Sequence, residues 1–560
     1  VVHIALKSSL SFRNISAYVS IFVVKHNSIQ GVFIFLLTLC LILLCFVLML
    51  TLIQRLLMQA KNRGVFLKVN IEQGEAIQRK TLNKLLVKAQ DTKFGVKHNF
   101  KELIDSPSVL SDYTESATMG DYLNMLPWWT RARMGEENVT WPDPIVNYAV
   151  SSGTSDGSSK YIPVSHDMLK HIRRASLRQV LSIIQTDVPK DHIAKQWLMI
   201  GGSTELEYNG MYYSGDLSGI TTGSVPILFQ RLSKPGIHIR KEKNWTEKIE
   251  KITLEAKDWD VGMVAGVPAW IKLLMESIID KYNLDNIHDI WPHFEAYIHG
   301  GVALTPYKKA LDGLMGRPIK YFETYLASEG FIAYQTRLDN EGGMRLLMRN
   351  GIYYEFVPFD RYNFSESGEL LPEAKSITLS QVNDKDEYAL IISTCSGTWR
   401  YMIGDTIRFT NLDRCEIMIT GRTKHFLSLC GEHLSVDNMN KAIELVANEY
   451  DVSFEEFTVC GIPYEGFFAH EWFISCDDDR LIGKENEIRD KLDMTIKVLN
   501  DDYRVERSAA LTGVMVNLLP TQKFYDWMAA NGKVGSQTKF PRVLKKELLE
   551  SWKSFLSSSN

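Results

Sequence analysis

The stretch VSSGTSDGSSKYIPVS runs from Val150 to Ser165, and eight of the nine residues Ser151 to Ser159 are glycine or carry a small hydroxyl. Bare backbone amides and hydroxyls in such a loop can cradle phosphate oxygens. The same composition also makes a plain turn or a linker. No Gly-Lys-Ser/Thr follows at the spacing of a Walker loop. Further along, TYLASEG (Thr324 to Gly330) sets Ser328 and Glu329 at the end of a strand-like run. A carboxylate there suits Mg²⁺, or the first turn of a helix. WRYMIGDTIRF (Trp399 to Phe409) places Gly404 and Asp405 in an expected turn between strands, where Asp405 is a ribose-binding carboxylate or an ordinary turn residue. GRTKHFLSLCGEHLS (Gly421 to Ser435) brings Arg422 and His433, and GSQTKFPR (Gly535 to Arg542) brings Lys539. Singly each is ordinary. In this order they supply a phosphate loop, a metal carboxylate, a ribose carboxylate and a late basic residue, the inventory of an enzyme that activates a substrate with a nucleotide.

The elements around these residues read as α/β. PIVNYAV and YIPVS flank the hydroxyl loop as two strands. NIEQGEAIQRKTLNKLLVKAQDTKFG carries Ile71, Ile77, Leu82, Leu85, Leu86 and Ala89 at helical spacing and is expected to end near Gly95. SVLSDYTESATMGDYLNML reads as a loop and then a helix. Strand-like QWLMIGGS, VGMVAGVP, AYIHGGVA and PIKYFETYLAS alternate with helix-like VPAWIKLLMESIIDKY and TPYKKALDGLM, an α/β signature. From Gly342 to Thr410 strands dominate, as in an antiparallel region. A new helix-strand-strand-helix pattern then starts at VDNMNKAIELVANEYD, which sets a domain boundary near Lys424.

A chain of 560 residues is too long for one core. A net charge of -4 gives no electrostatic case for nucleic acid. The seven cysteines form no CxxC and no Cys/His pair at zinc spacing, and read as reduced thiols of a cytosolic protein. The first 53 residues are set apart by GVFIFLLTLCLILLCFVLMLTLI, Gly31 to Ile53, 23 residues without a charge. At about 1.5 Å per residue that run spans a hydrocarbon core of roughly 30 Å and reads as a membrane anchor. The chain opens on Val1, and its first methionine is Met49, so translation from upstream of the true start is the competing reading. Basic residues on both sides of the run give no firm orientation. The enzyme body is expected in the cytosol either way.

Taken together, SSGTSDGSSKYIPVS, YLASEG, RYMIGDTIRFT, GRTKHFLSLCGEHLS and GSQTKFPR resemble the Gretchen Hagen family of auxin-responsive-promoter proteins, in its bacterial-type branch. These are acyl-acid amido synthetases of the adenylate-forming superfamily. The similarity runs from about Gln54 to the C-terminus. It implies an acyl-CoA synthetase/luciferase-like architecture: a large N-terminal α/β domain with a mainly antiparallel region over 54–424, and a small mobile C-terminal α/β domain over 425–560. It implies ATP and Mg²⁺, with a small carboxylic acid and an amino acid as substrates. By the resemblance, Ser151, Ser152, Gly153, Thr154 and Ser155 hold the ATP phosphates. Tyr325, Ala327 and Ser328 line the adenine and α-phosphate side, Glu329 binds Mg²⁺ and Asp405 the ribose hydroxyls. Arg422 holds the nucleotide near the hinge, Lys539 neutralises charge during adenylation, and Gly300 and Gly301 border the acyl pocket.

Two positions depart from the family pattern. Met402 stands where an arginine often follows the tyrosine of the third motif, with Arg400 before it. Plant-type members carry a lysine early in the small domain where this chain places His433, so Lys539 and His433 are rivals for the phosphate. The expected chemistry is attack of a carboxylate on the ATP α-phosphate, loss of pyrophosphate, and transfer of the acyl group from the adenylate to an amine. An acid–thiol ligase making an acyl-CoA and a membrane-tethered nucleotide-binding non-enzyme are the alternatives.

Overall fold

The computed structural model describes residues 69–151, 160–223, 232–338, 343–365, 368–423, 427, 434, 436–464, 467–500, 503–504, 507, 511–531, 540–544 and 546–558. The apolar run 31–53 lies outside them. Among the described residues no helix is long and apolar enough to cross a membrane. Cys395, Cys415, Cys460 and Cys476 are free thiols.

The expected first helix spans Ile71–Ala89 and starts where the Asn70 side chain accepts the Gln73 amide at 2.9 Å. Leu82, Leu85, Leu86 and Ala89 bury one face at the spacing the sequence showed. Its one buried polar residue, Gln78, is fully paired. It donates to the Met348 and Ile352 carbonyls and accepts the Tyr354 amide, so the helix is keyed to an edge strand of the main sheet. The helix stops short of Gly95: a second one, Lys93–Lys97, restarts under a Thr92 cap. SVLSDYTES, expected as a loop, is the helix Val109–Ser116, because burial of Val109, Leu110 and Tyr113 gives it an apolar face. Tyr122–Arg133 follows as a further helix.

The strands, in chain order, are β1 (Asn147–Ser151), β2 (Lys160–Val164), β3 (Gln196–Met199), β4 (Glu207–Tyr208), β5 (Tyr213–Gly215), β6 (Ser233–Lys234), β7 (Val261–Gly266), β8 (Ala296–Gly300) and β9 (Lys320–Ala327). They continue as β10 (Gly330–Gln335), β11 (Met344–Leu346), β12 (Ile352–Pro358), β13 (Glu387–Thr394), β14 (Thr398–Asn411), β15 (Glu416–Arg422), β16 (Phe457–Tyr464), β17 (Phe467–Ser475) and β18 (Leu511–Leu519). Eleven of them form one sheet in the order β12-β13-β14-β15-β11-β10-β9-β8-β7-β3-β6. The half from β6 to β9 is parallel and the half from β9 to β12 antiparallel, so β9 is the strand at which direction changes. β2-β1-β5-β4 make a small second sheet.

β16, β17 and β18 form a third sheet with its own cores. One cluster joins residues between Leu427 and Val543, among them Ile443, Ile488 and Leu492. On another, Phe524, Trp527, Phe540 and Trp552 pack ring on ring. This part meets the parallel half through polar pairs. Tyr307 donates to Glu456, which also takes Arg542 at 2.6 Å, and Lys272 reaches Glu455 at 3.0 Å.

Candidate active site

β1 and β2 form an antiparallel hairpin closed by the pair Ser151 and Lys160. The two runs that flank the hydroxyl stretch thus pair as strands, as expected. Ser152, Gly153, Thr154 and Ser155 lie outside the described residues, while Ser151 is half-buried at the strand end. The Lys160 ammonium lies 5.6 Å from the centre of the Tyr122 ring.

Ser328 and Glu329 are the two residues of the tight turn between β9 and β10, with Ala327 paired to Gly330 across it. Glu329 therefore starts no helix. The turn puts its carboxylate at the carboxyl end of the strand where the sheet changes direction, the place where open α/β sheets bind ligands. Glu329 is 8% exposed. Burial pushes its carboxyl up, and the nearby Asp405 charge adds to that, while Arg422 and Lys160 oppose it. The buried Tyr401 side chain lies close to the same carboxylate, which raises its hydroxyl further.

Gly404 and Asp405 do not form a turn between strands. They lie inside the 14-residue strand β14, which bends at Gly404 with φ of +93°. That angle suits glycine, and the bend lets Asp405 sit opposite Arg422 of β15 as its register partner. The Arg422 Nε lies 3.1 Å from Asp405 Oδ1, and the same guanidinium donates to the Ile403 carbonyl at 3.1 Å. The second Asp405 oxygen accepts the Tyr325 hydroxyl at 2.5 Å. Tyr325 is buried, and desolvation together with Asp405 holds its hydroxyl protonated, well above the ordinary tyrosine range. The Asp405 carboxylate beside it in turn raises the Arg422 guanidinium.

Gly300 ends β8 beside Thr324 of β9, and any Cβ on it would come within 2.3 Å of the Thr324 carbonyl oxygen. Gly301 follows. Both stand on the same carboxyl edge as Glu329, one strand away. The structure thus brings Tyr325, Ala327, Ser328, Glu329, Asp405, Arg422, Gly300 and Gly301 to one edge of the sheet. Lys539 and His433 lie outside the described residues. Arg400, which precedes the tyrosine of the third motif, turns away from this edge. It is buried in an ion pair with Glu355 at 2.9 Å and donates to the Ala117 carbonyl. Sequence reasoning missed Tyr401 and the closeness of Lys160 to Glu329. Tyr401 sat in a quoted motif, but only the fold turns its hydroxyl to a residue 72 positions away, from 329 to 401.

Among the described residues no three His, Cys, Asp or Glu side chains are grouped to hold a metal ion by themselves. One buried carboxylate still fits an ion carried in by its substrate, because Mg²⁺ commonly takes one or two carboxylates with phosphate oxygens and water.

Three family models match the chain: the GH3 family N-terminal domain over residues 66–221, the central domain over 345–422 and the C-terminal domain over 437–548. The hydroxyl loop falls in the first, Asp405 and Arg422 in the second, Lys539 in the third. Glu329, Gly300 and Gly301 fall between the first and second. An indole-3-acetic acid-amido synthetase of Arabidopsis thaliana, GH3.2, is 20% identical over 434 residues, 66% of this chain and 78% of the relative. Among solved structures, the GH3.15 acyl acid amido synthetase superposes with a TM-score of 0.70 at 16% identity, covering 89% of this chain and 95% of the other. A 2-hydroxyisobutyryl-CoA ligase in its postadenylation state superposes with a TM-score of 0.55 at 13% identity, over 87% and 92%. At these identities the two structures speak to the fold.

Proposed function

The chain belongs to the GH3 family, and from that premise we propose that it is an ATP-dependent acyl-acid amido synthetase. It activates a small carboxylic acid as an acyl-adenylate and passes the acyl group to the amine of an amino acid. The observation that carries this reading is the paired Asp405, held by Tyr325 and Arg422, beside the buried Glu329 at the carboxyl end of β9.

The geometry suits each role. A carboxylate has about four lone-pair positions. Tyr325 and Arg422 occupy two on Asp405, which fixes the carboxylate and leaves others for ribose hydroxyls. The Ser151 to Ser155 loop would hold the ATP phosphates, with Tyr325, Ala327 and Ser328 along the adenine and α-phosphate side. Glu329 would hold Mg²⁺ brought in on the phosphates, and the ion would offset charge on the pyrophosphate leaving group. Lys160 and Arg422 add fixed positive charge around the carboxylates. Gly300 and Gly301, with no side chains, would let the acyl group lie against the sheet edge.

The acid's oxygen attacks the α-phosphorus, the bond to pyrophosphate breaks, and a mixed anhydride results. The amine then attacks the acyl carbon and AMP leaves. We assign the boundary between the two functional parts to about Lys424, and the part beyond it reorients between the half-reactions. Its separate cores and its polar contacts with the body support this. Lys539 would supply charge in the first step.

Mass-spectrometric measurement of acid-dependent AMP formation, with each amino acid and with CoA, tests the reading. Amide product only with an amino acid supports it. Thioester with CoA, or no AMP with any acid, overturns it.

A further inference from the structure

The part beyond about Lys424 meets the body through polar side chains on two body helices. Tyr307 lies on the helix Thr305–Gly313, which starts four residues after Gly301, and Lys272 lies on the helix Pro268–Tyr282. Facing them, Glu455 and Glu456 lead into β16. The Tyr307 hydroxyl donates to Glu456, and the Lys272 ammonium lies 3.0 Å from a Glu455 oxygen. Tyr307, Glu455 and Glu456 are buried, and the Lys272 side chain is 14% exposed. An exposed pair, Lys309 and Asp451, lies beside them. Every hydrophobic core cluster of the described residues falls wholly before or wholly after Lys424. No shared apolar core among those residues fixes the two parts together.

The buried groups are arranged so that they can separate. Removing one partner of a buried ion pair costs about 3–5 kcal/mol because it strands the other charge. Here Glu456 has a second partner within its own part: Arg542 lies 2.6 Å from it. Across the interface Glu456 gives up only a neutral hydroxyl. Lys272 likewise has a second partner within the body, Glu276 at 3.1 Å, one helical turn along. Glu455 is the least satisfied. Its other oxygen is buried with no hydrogen-bond partner among the described residues, and burial pushes its carboxyl up although Lys272 opposes this. Separation would return Glu455 to water and leave the other two charges paired. Arg542 also ties the interface to the late basic motif. It belongs to GSQTKFPR, three residues after Lys539, and it donates to the Phe457 carbonyl at 3.0 Å.

We propose that Tyr307–Glu456 and Lys272–Glu455 form a latch that holds the small part in the orientation seen here and opens between the two half-reactions. The proposal rests on the amido-synthetase reading, which supplies the two half-reactions. Arg542 and Glu276 are its release partners: they keep Glu456 and Lys272 paired when the latch is open.

The test reads orientation in the full chain, without substrate, as the distance between two spin labels. The labels are carried on unnatural ketone side chains at Leu254 and Val498, which leaves the native thiols untouched. Both positions are exposed, one on the body helix Trp245–Glu255 and one on the helix Glu485–Leu499 of the small part. Tyr307→Phe, and separately Lys272→Met, should raise the ratio of a second distance population to the first by about tenfold or more, the weight of a hydrogen bond to a charged group. Adding Glu276→Gln to Tyr307→Phe should reverse the rise, because Lys272 then finds its carboxylate only in the latched orientation. A substitution that merely loosened the structure would not be reversed by removing a further ion pair. A distance distribution like that of the wild type in either folded single variant overturns the proposal, and so does a rise that Glu276→Gln leaves in place or increases. Failure of the parent reading is a separate result, the absence of AMP with every acid, because the labels are read without turnover.

Discussion

The Tyr325 hydroxyl donates to Asp405 at 2.5 Å although their strands, β9 and β14, stand four places apart in the sheet. In a flat sheet four spacings are about 19 Å, far beyond the length of a tyrosine. The antiparallel half must therefore curl until β14 faces β9, and the short β10 and three-residue β11 between them permit a strong twist. The curl also sets Tyr401 on Glu329. Each acidic residue of the site thus has a tyrosine of the opposite wall beside it.

Asp405→Asn should cut acid-dependent pyrophosphate exchange by about 100-fold or more, since a hydrogen bond to a charged group is worth about 1.5–3 kcal/mol and Arg422 loses its counter-ion as well. Tyr325→Phe leaves the charge and removes only the clamp, so about tenfold is expected. Exchange near wild type in Asp405→Asn would remove the ribose role.

Burial raises Glu329, so its protonated form persists to higher pH than for an exposed carboxylate. Only the ionised form can hold a cation. The kcat/KM for ATP with Mg²⁺ should fall as pH drops through that raised value, earlier than for an ordinary glutamate. Glu329→Gln should be inactive in exchange or nearly so, and any residual rate should lack this acid limb. A pH–rate profile of the variant that still bends with the wild-type midpoint would assign the limb to another group.

Lys539→Ala should slow adenylate formation more than the use of a chemically supplied acyl-adenylate by the amine, because only the first step develops charge on pyrophosphate. His433→Ala is the comparison. Intact adenylation in Lys539→Ala with loss in His433→Ala would transfer the role to the early residue. Equal loss of both half-reactions in Lys539→Ala would make the lysine structural.

Arg400 and Glu355 form a fully buried ion pair, with side chains 3% and 0% exposed. Arg400→Met leaves the carboxylate buried with the Ser376 hydroxyl as its remaining donor among the described residues. That should cost about 3–5 kcal/mol, read as a lowered urea midpoint. The double variant Arg400→Met with Glu355→Leu should recover most of it, since a buried pair is often replaceable by apolar side chains. A single variant as stable as wild type would show that the pair is not a keystone of the antiparallel half.

The sequence by itself determined what depends on local pattern. The helix Ile71–Ala89 was legible from its apolar spacing, and β1 and β2 from the runs flanking the hydroxyl loop. The order of five motifs was enough to single out Glu329, Asp405 and Arg422, because each motif is a contiguous string of residues. Local pattern misled where burial overrides it. Val109–Ser116 became a helix because the core accepts its apolar side, and Gly404-Asp405 became a bend within β14 because both flanks pair with neighbours. What only the tertiary structure decided is which side chains meet. Glu329 and Asp405 are 76 positions apart, from 329 to 405, and no periodicity links them. They become neighbours because an eleven-stranded sheet reverses direction at β9 and then curls back on it. The reason is physical: strand order and curvature are set by the burial of both sheet faces over the whole chain, whereas a motif records only the residues within its own few positions.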